Sequence, residues 1–325
     1  MTSAANHELV STIIPVFNRP EMVLHAVHSV LQQTYRPLEI LLVDDGSTDQ
    51  TPQVLAELQR SHPNEIRVLR QANAGPGAAR ERGRLAARGA YIQYLDSDDW
   101  LLPNKFTDQV GALRASPACS IAYGTARLVA ADGSLLAEPS RRTAEHHAQL
   151  FPLLLVERWW HTHTPLFRRS ISDAAGPWPL FRPEDWDLEA RMGALGARLV
   201  HCGSTVSCQR DHDLGERVSR GPERDYLLDE ARFLPRLFAC ALLAEVPPAA
   251  EQWDHLARWC LLRARQLHAL GAVPEGDRLL ALARQVTAGL PDPRQVERQQ
   301  QVYRLLRLGL GASGAARLAA TVSPA

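Results

Sequence analysis

The chain has 325 residues, 45% hydrophobic and 22% charged, enough for one large domain with an appendage or for two modest ones. Its formal charge is zero, so no global field recruits nucleic acid or an anionic membrane surface. The five cysteines, odd in number and without a C-x-x-C pair, argue against a disulfide framework or a structural zinc site and fit a reducing compartment.

Residues 1–9 lack the basic start and apolar stretch of a signal peptide, and no apolar run reaches the 18 or so residues that span a bilayer. A cytoplasmic protein is expected. Leu9 to Phe17 reads as a buried strand, and Pro20 opens a helical run through Met22, Ala26, Val30 and Gln33. Leu38 to Val43 is a second apolar strand, and Asp49 caps a helix over 50–59 with Pro52 in its first turn. Ile66 to Leu69, a helix over 77–88 and the strand Tyr91 to Leu95 follow. Strands alternating with helices of this length indicate βαβ units and a parallel sheet.

Beyond Trp100 the pattern changes. A helix over 106–114 precedes Ser120 to Val129 and Ser134 to Ala137, which flank the hairpin signal Ala131-Asp132-Gly133. Thr164 to Phe167 and Ala197 to Cys202 add strands, with a helix over 186–195 between them. After about Asp225 helical spacing takes over. Trp253, Leu256, Ala257, Cys260, Ala264 and Leu267 make one stripe, and Leu279, Leu282, Ala283 and Val286 another. Pro247-Pro248, Gly271 to Gly276 and Pro291 to Pro293 mark breaks. The expected organisation is a domain over 1–225, in two halves near 8–100 and 101–225, and a helical extension over 226–325.

The chemistry concentrates at strand ends. Asp96-Ser97-Asp98-Asp99 directly follows one apolar strand, and Asp44-Asp45-Gly46-Ser47-Thr48-Asp49 ends another. Carboxylates clustered on a rigid strand end suit a hard divalent cation that also holds a diphosphate. Open α/β sheets place ligands at that edge. The first turn, Pro15-Val16-Phe17-Asn18-Arg19-Pro20, is no G-x-G-x-x-G dinucleotide fingerprint, and no P-loop is present.

Four segments in order resemble family 2 glycosyltransferases of the GT-A fold: Pro15-Val16-Phe17-Asn18, Val43 to Asp49, Asn73-Ala74-Gly75-Pro76-Gly77-Ala78-Ala79-Arg80, and Leu95 to Asp99 with its D-x-D. The resemblance covers roughly residues 8–218. It implies a GT-A-type nucleotide-diphospho-sugar transferase fold, a Rossmann-like mixed sheet flanked by helices, with an α-helical C-terminal extension. It also implies an inverting, Mn²⁺- or Mg²⁺-dependent transfer from a UDP-sugar to a saccharide, lipid-linked or other hydroxyl acceptor, giving a β-linkage. Glu81 departs from the asparagine common in the family after the alanine-arginine pair, and local retuning with no loss of activity is expected there.

Residue roles follow from the same resemblance. Asp98 is the leading metal contact, with Asp96 and Asp99 beside it, one of which instead accepts a ribose or sugar hydroxyl. Asp44 or Asp45 bonds the base or ribose, Pro15 to Phe17 with Asn18 frame the base, and Arg80 meets the diphosphate or the donor sugar. Arg182-Pro183-Glu184-Asp185-Trp186 matches the acceptor-side acidic segment. There Asp185 is the base that deprotonates the acceptor, with Glu184 as substitute, or both cap the following helix. His212 stands where many members carry an R-x-H histidine that completes the metal shell. Trp159, Trp160 and Trp178 are sugar platforms or core residues, and His161 and His163 either face the cleft or do not.

Other readings are a catalytically silent sugar-nucleotide binding module and a sugar-nucleotide pyrophosphorylase, whose glycine-rich first turn is missing. The helical tail docks on the catalytic domain, forms a homodimer or makes a peripheral membrane contact.

Overall fold

The computed structural model describes residues 8–211, 223–290 and 292–322. Packing divides the chain into two compact units: Met1–Leu150, Arg158–Leu180 and Arg191–Asp213 in one, and Phe151–Glu157, Phe181–Ala190 and Leu214–Ala325 in the other. It does not follow a single cut at residue 225, because 151–157 and 181–190 go with the C-terminal helices.

In the first unit the expected alternation is present as β1 (Val10–Val16), α1 (Met22–Leu31), β2 (Leu38–Asp44), α2 (Thr51–Ser61), β3 (Ile66–Arg70), α3 (Pro76–Ala86) and β4 (Tyr91–Tyr94). β2 is buried along its whole length, which is why it reads as an unbroken apolar run. α1 buries Val23, Ala26, Val27 and Val30, one face of a helix, against a core that includes Ile14, Leu42, Leu55 and Leu95. Each buried valine among them contributes about 1.5–3 kcal/mol on burial. The N-cap of α2 is Gln50 and not Asp49, which lies one residue earlier and accepts the Thr51 N–H at 2.8 Å.

β5 (Trp100–Leu101), α4 (Lys105–Ala115), β6 (Ile121–Val129), β7 (Leu135–Ala137), β8 (Leu166–Arg168), α5 (Arg169–Ala175), α6 (Glu184–Ala194) and β9 (Leu199–Arg210) follow. Strand order is β3-β2-β1-β4-β8-β6-β9-β5, with β7 on β6. β3, β2, β1 and β4 run parallel, while β8 is antiparallel to both β4 and β6. The sheet is therefore mixed, as expected. The turn at Gly133 (φ +88°) makes the β6–β7 hairpin.

The second unit contains α7 (Glu223–Leu243), α8 (Gln252–Ala269), α9 (Val273–Ala288) and α10 (Arg294–Val322). Both expected apolar stripes are buried on α8 and α9. Gly271, at φ +78°, follows the end of α8. Gly276 is not part of a break. It lies inside α9, where an added Cβ would come within 2.3 Å of the His268 ring, so it lets α8 and α9 approach closely. α10 kinks at Gly311. Among the described residues no helix is long and apolar enough to cross a membrane.

The single lysine opens α4. Lys105 is fully buried and donates from Nζ to the Thr164 carbonyl at 2.7 Å. Burial pulls its amine down to about 7, against 10.5 ordinarily. Between those values the unfolded chain binds the proton and the folded chain does not, so this group makes stability rise with pH across that window. Its slope is at most about 1.4 kcal/mol per pH unit. Urea unfolding of the native protein and Lys105→Met at pH 7 and pH 9 should show the native protein gaining relative to the variant at the higher pH. Parallel profiles would contradict a buried neutral amine.

Candidate functional site

Three loops leave the same sheet edge. β1 pairs with β2 so that Val16 lies opposite Asp44, and with β4 so that Ile13 lies opposite Tyr94. Residues 17–19, 45–49 and 95–99 therefore emerge side by side, and side chains knit them together.

Asn18 adopts φ +51°. Its N–H donates to Ser47 Oγ at 3.0 Å, and its Oδ1 accepts the Thr48 N–H at 2.9 Å. The Arg19 N–H donates to Thr51 Oγ1 at 2.9 Å. Phe17 is 44% exposed beside Pro15, which is half-buried.

The two aspartates at the end of β2 are placed differently. Asp44 is buried, accepts the Ser47 N–H at 2.8 Å and has Arg70 Nε at 3.3 Å. Asp45 receives Gln71 Nε2 at 2.8 Å, the Ala74 N–H at 2.9 Å and the Gly75 N–H at 2.8 Å, so it clasps the segment leading into α3. Gly46, directly after them, is at φ +79°, and an added Cβ would lie 2.7 Å from the Asn73 amide nitrogen. Gly46→Ala should destabilise the protein by about 1–3 kcal/mol through backbone strain, read as a lower urea midpoint. An unchanged midpoint would contradict the clasp.

α3 starts after Gly75 (φ +89°) with Pro76 in its first turn and carries Arg80 on its second. Arg80 is only 4% exposed and pairs with Asp96 Oδ1 at 2.6 Å. Asp98 pairs with Arg19 from the β1 loop. The side chains of Asp98 and Asp96 are 16% and 32% exposed, which leaves both open to solvent at the edge.

Asp99 is turned inward. Its Oδ1 accepts the Arg210 N–H at 3.0 Å and its Oδ2 lies 3.3 Å from His163 Nε2. Burial, followed by the nearby positive charge of Lys105, holds His163 well below the usual histidine range, so the ring is neutral. The Arg210 guanidinium lies 5.1 Å over the Trp100 ring and 2.7 Å from His25 Nδ1.

Trp159 and Trp160 are fully buried core residues, and Trp178 is 4% exposed. His161 and His163 are buried as well, His161 against Ser140 Oγ at 2.8 Å. The sugar-platform reading of the three tryptophans and the cleft-facing reading of the two histidines are thus corrected, because these rings are covered by protein.

Glu184, Asp185 and Asp187 occupy the first turn of α6, in the second unit. Asp185 is half-buried and accepts the Trp186 N–H at 2.8 Å. Asp187, buried, binds Arg236. His212 lies outside the described residues. Arg19 is a contributor that motif reading missed, marked only by its adjacency to the first motif, while Arg210 is the arginine of the Arg210-Asp211-His212 segment.

Residues 11–169 match the family model described as Glycosyl transferase family 2. That match spans just under half of the chain and marks a family 2 segment within it. Chondroitin synthase of Escherichia coli is 32% identical over 199 residues, which cover 58% of this chain and 27% of that protein. Glycosyltransferase GlyG of Streptococcus pneumoniae is 40% identical over 98 residues, 30% of this chain and 32% of that protein. The chain therefore spans only about a third or less of these relatives. S. aureus TarS 1–349 in complex with UDP-GlcNAc superposes with a TM-score of 0.65 at 18% identity, covering 95% of this chain and 88% of that one. The mannosyltransferase PcManGT from Pyrobaculum calidifontis, in complex with GDP-Man and Mn²⁺, gives 0.53 at 16% identity, covering 96% and 86%. These likenesses show that the family 2 domain has the expected GT-A-type fold.

Proposed function

We propose that this chain is a metal-dependent, inverting glycosyltransferase that moves a sugar from a nucleoside-diphosphate donor, a UDP-sugar first, to an acceptor hydroxyl with a β-linkage as product. One observation carries the reading: Asp98 and Asp96, both partly exposed, stand where three parallel strands end, each paired with an arginine from a different segment. The family-model match over residues 11–169 supports it, as do the sugar nucleotides held by similarly folded proteins.

The carboxylates suit a divalent cation. Asp98 and Asp96 are hard oxygen donors at a strand end. Among the described residues no cluster of three histidine, cysteine, aspartate or glutamate side chains gathers. Few protein ligands leave positions for diphosphate oxygens, the way Mg²⁺ is usually held. When bound, the cation offsets the negative charge that grows on the departing diphosphate.

This chain's own groups do the rest. Asp98 holds the metal, and His212 remains its proposed companion. Asp99, buried and with its Oδ1 taken by the Arg210 N–H, supports the loop and is not assigned as a ligand. Asp44, Pro15, Phe17 and Asn18 receive the nucleoside, and Asp45 positions that loop. Arg80 and Arg19 add positive charge where the leaving group departs. Asp185 takes the proton of the attacking hydroxyl, with Glu184 as substitute. The chondroitin and hyaluronan synthases among the relatives favour a saccharide acceptor.

The test is UDP release from UDP-glucose, UDP-galactose and UDP-GlcNAc, with Mn²⁺ or with a chelator. Release that needs Mn²⁺ supports the proposal. No release from any of the three, or an equal rate in chelator, would contradict it.

A further inference from the structure

Asp185 is the second residue of α6, where a helix has least hold on itself, because its opening N–H groups lack partners within the helix. A carboxylate that must meet an acceptor oxygen within about 0.5 Å needs that turn fixed from outside. The bond from the Trp186 N–H to Asp185 Oδ1 is local and moves with the turn.

α7, in the same compact unit, holds the chain on both sides of Asp185. Upstream, Arg182 donates its N–H and its Nε to Asp229 Oδ2, each at 3.3 Å. Downstream, Asp187 is 1% exposed and receives Arg236 on both oxygens, Nε on Oδ1 and Nη2 on Oδ2 at 3.1 Å. A two-pronged arginine–carboxylate pair fixes orientation as well as distance. Between these ties the Trp186 ring lies 5.6 Å from Phe233 of α7 and 5.3 Å from Trp259 of α8, centroid to centroid. Its Nε1–H donates to the Leu154 carbonyl at 3.0 Å. The turn cannot rotate about the helix axis without breaking contacts to α7.

We infer that α7 positions the acceptor base: Arg236, through Asp187, sets where the Asp185 carboxyl stands. The inference rests on the proposed role of Asp185 and deepens it. Arg236 is a positioning residue, and through it the C-terminal helices take part in turnover, whatever else they dock on. The proposed donor residues make none of these contacts, so donor binding and turnover respond differently when the tie is cut.

The experiment uses the paired variant Asp187→Asn with Arg236→Met, which removes the tie without stranding a buried charge, alone and combined with Asp185→Asn. UDP release in Mn²⁺ from the fastest of UDP-glucose, UDP-galactose and UDP-GlcNAc gives kcat. Calorimetric titration gives UDP affinity, and urea unfolding reports the fold. The paired variant should lose about 10–10²-fold in kcat while UDP affinity stays within about twofold. Added to Asp185→Asn, the same changes should lower kcat by less than about twofold, because the group they position is already gone. Arg236→Lys, which keeps the charge and loses the fork, should fall between the two, and it carries the comparison if the paired variant unfolds. Native kcat in the paired variant, or in the lysine variant where only that one folds, would overturn the inference and leave Asp185 as the base. A loss of equal size with and without Asp185, or one matched by weaker UDP binding, would also overturn it, because a merely structural role acts that way. Native kcat in Asp185→Asn alone, or no release by the native protein, would remove the base or the reaction itself, and the inference with it.

Discussion

Asp98→Asn should abolish Mn²⁺-dependent binding of UDP and lower turnover by roughly 10³-fold or more, with the fold intact. A bound cation supplies several kcal/mol of charge stabilisation at the leaving group, and each ~1.4 kcal/mol is tenfold in rate. Stability should hardly change, because the lost ion pair with Arg19 is partly solvent-exposed and such pairs contribute about 0–1 kcal/mol. Asp99→Asn gives the contrast. Asp99 is buried between the Arg210 amide and His163, so its substitution should lower the unfolding midpoint as well as activity. Steady-state rates and urea midpoints of the two variants, measured together, separate the roles. A stable Asp98→Asn enzyme with native turnover in Mn²⁺ would remove Asp98 from the metal site.

The second large effect is expected at Asp185. Asp185→Asn should reduce kcat by about 10²–10⁴-fold, the span of a lost general base, while UDP affinity stays native. Asparagine is the informative replacement. It keeps the oxygen that accepts the Trp186 N–H and ranks with aspartate at helix starts, so the first turn of α6 survives and only the basicity is lost. A capping role alone predicts native kcat in this variant. Glu184→Gln should have a smaller effect, and a larger one would exchange the two assignments.

Both predictions start from motifs that were legible in the sequence. The strands β1, β2 and β4 are buried apolar runs, and the acidic ends of β2 and β4 follow directly from where those runs stop. The parallel sheet followed from that pattern, and the GT-A-type plan from the resemblance that the four motifs carry. What the sequence hid depends on distant partners. Trp178 reads equally well as a sugar platform or a core ring, and its amide meets Glu81 97 residues away. Asp99 looks like a twin of Asp98 until the Arg210 amide, 111 residues later, claims its Oδ1. β5 is two residues long and has no periodicity to detect. Gly276 resembles a helix breaker because glycine opens turns, yet here it makes room for the His268 ring.

The most direct test of the central claim is calorimetric titration of the native protein with UDP, with and without Mn²⁺. The proposed site predicts binding that appears with Mn²⁺ and disappears on chelation. Binding of equal strength in both conditions, or none in either, would contradict a metal-held diphosphate at Asp98.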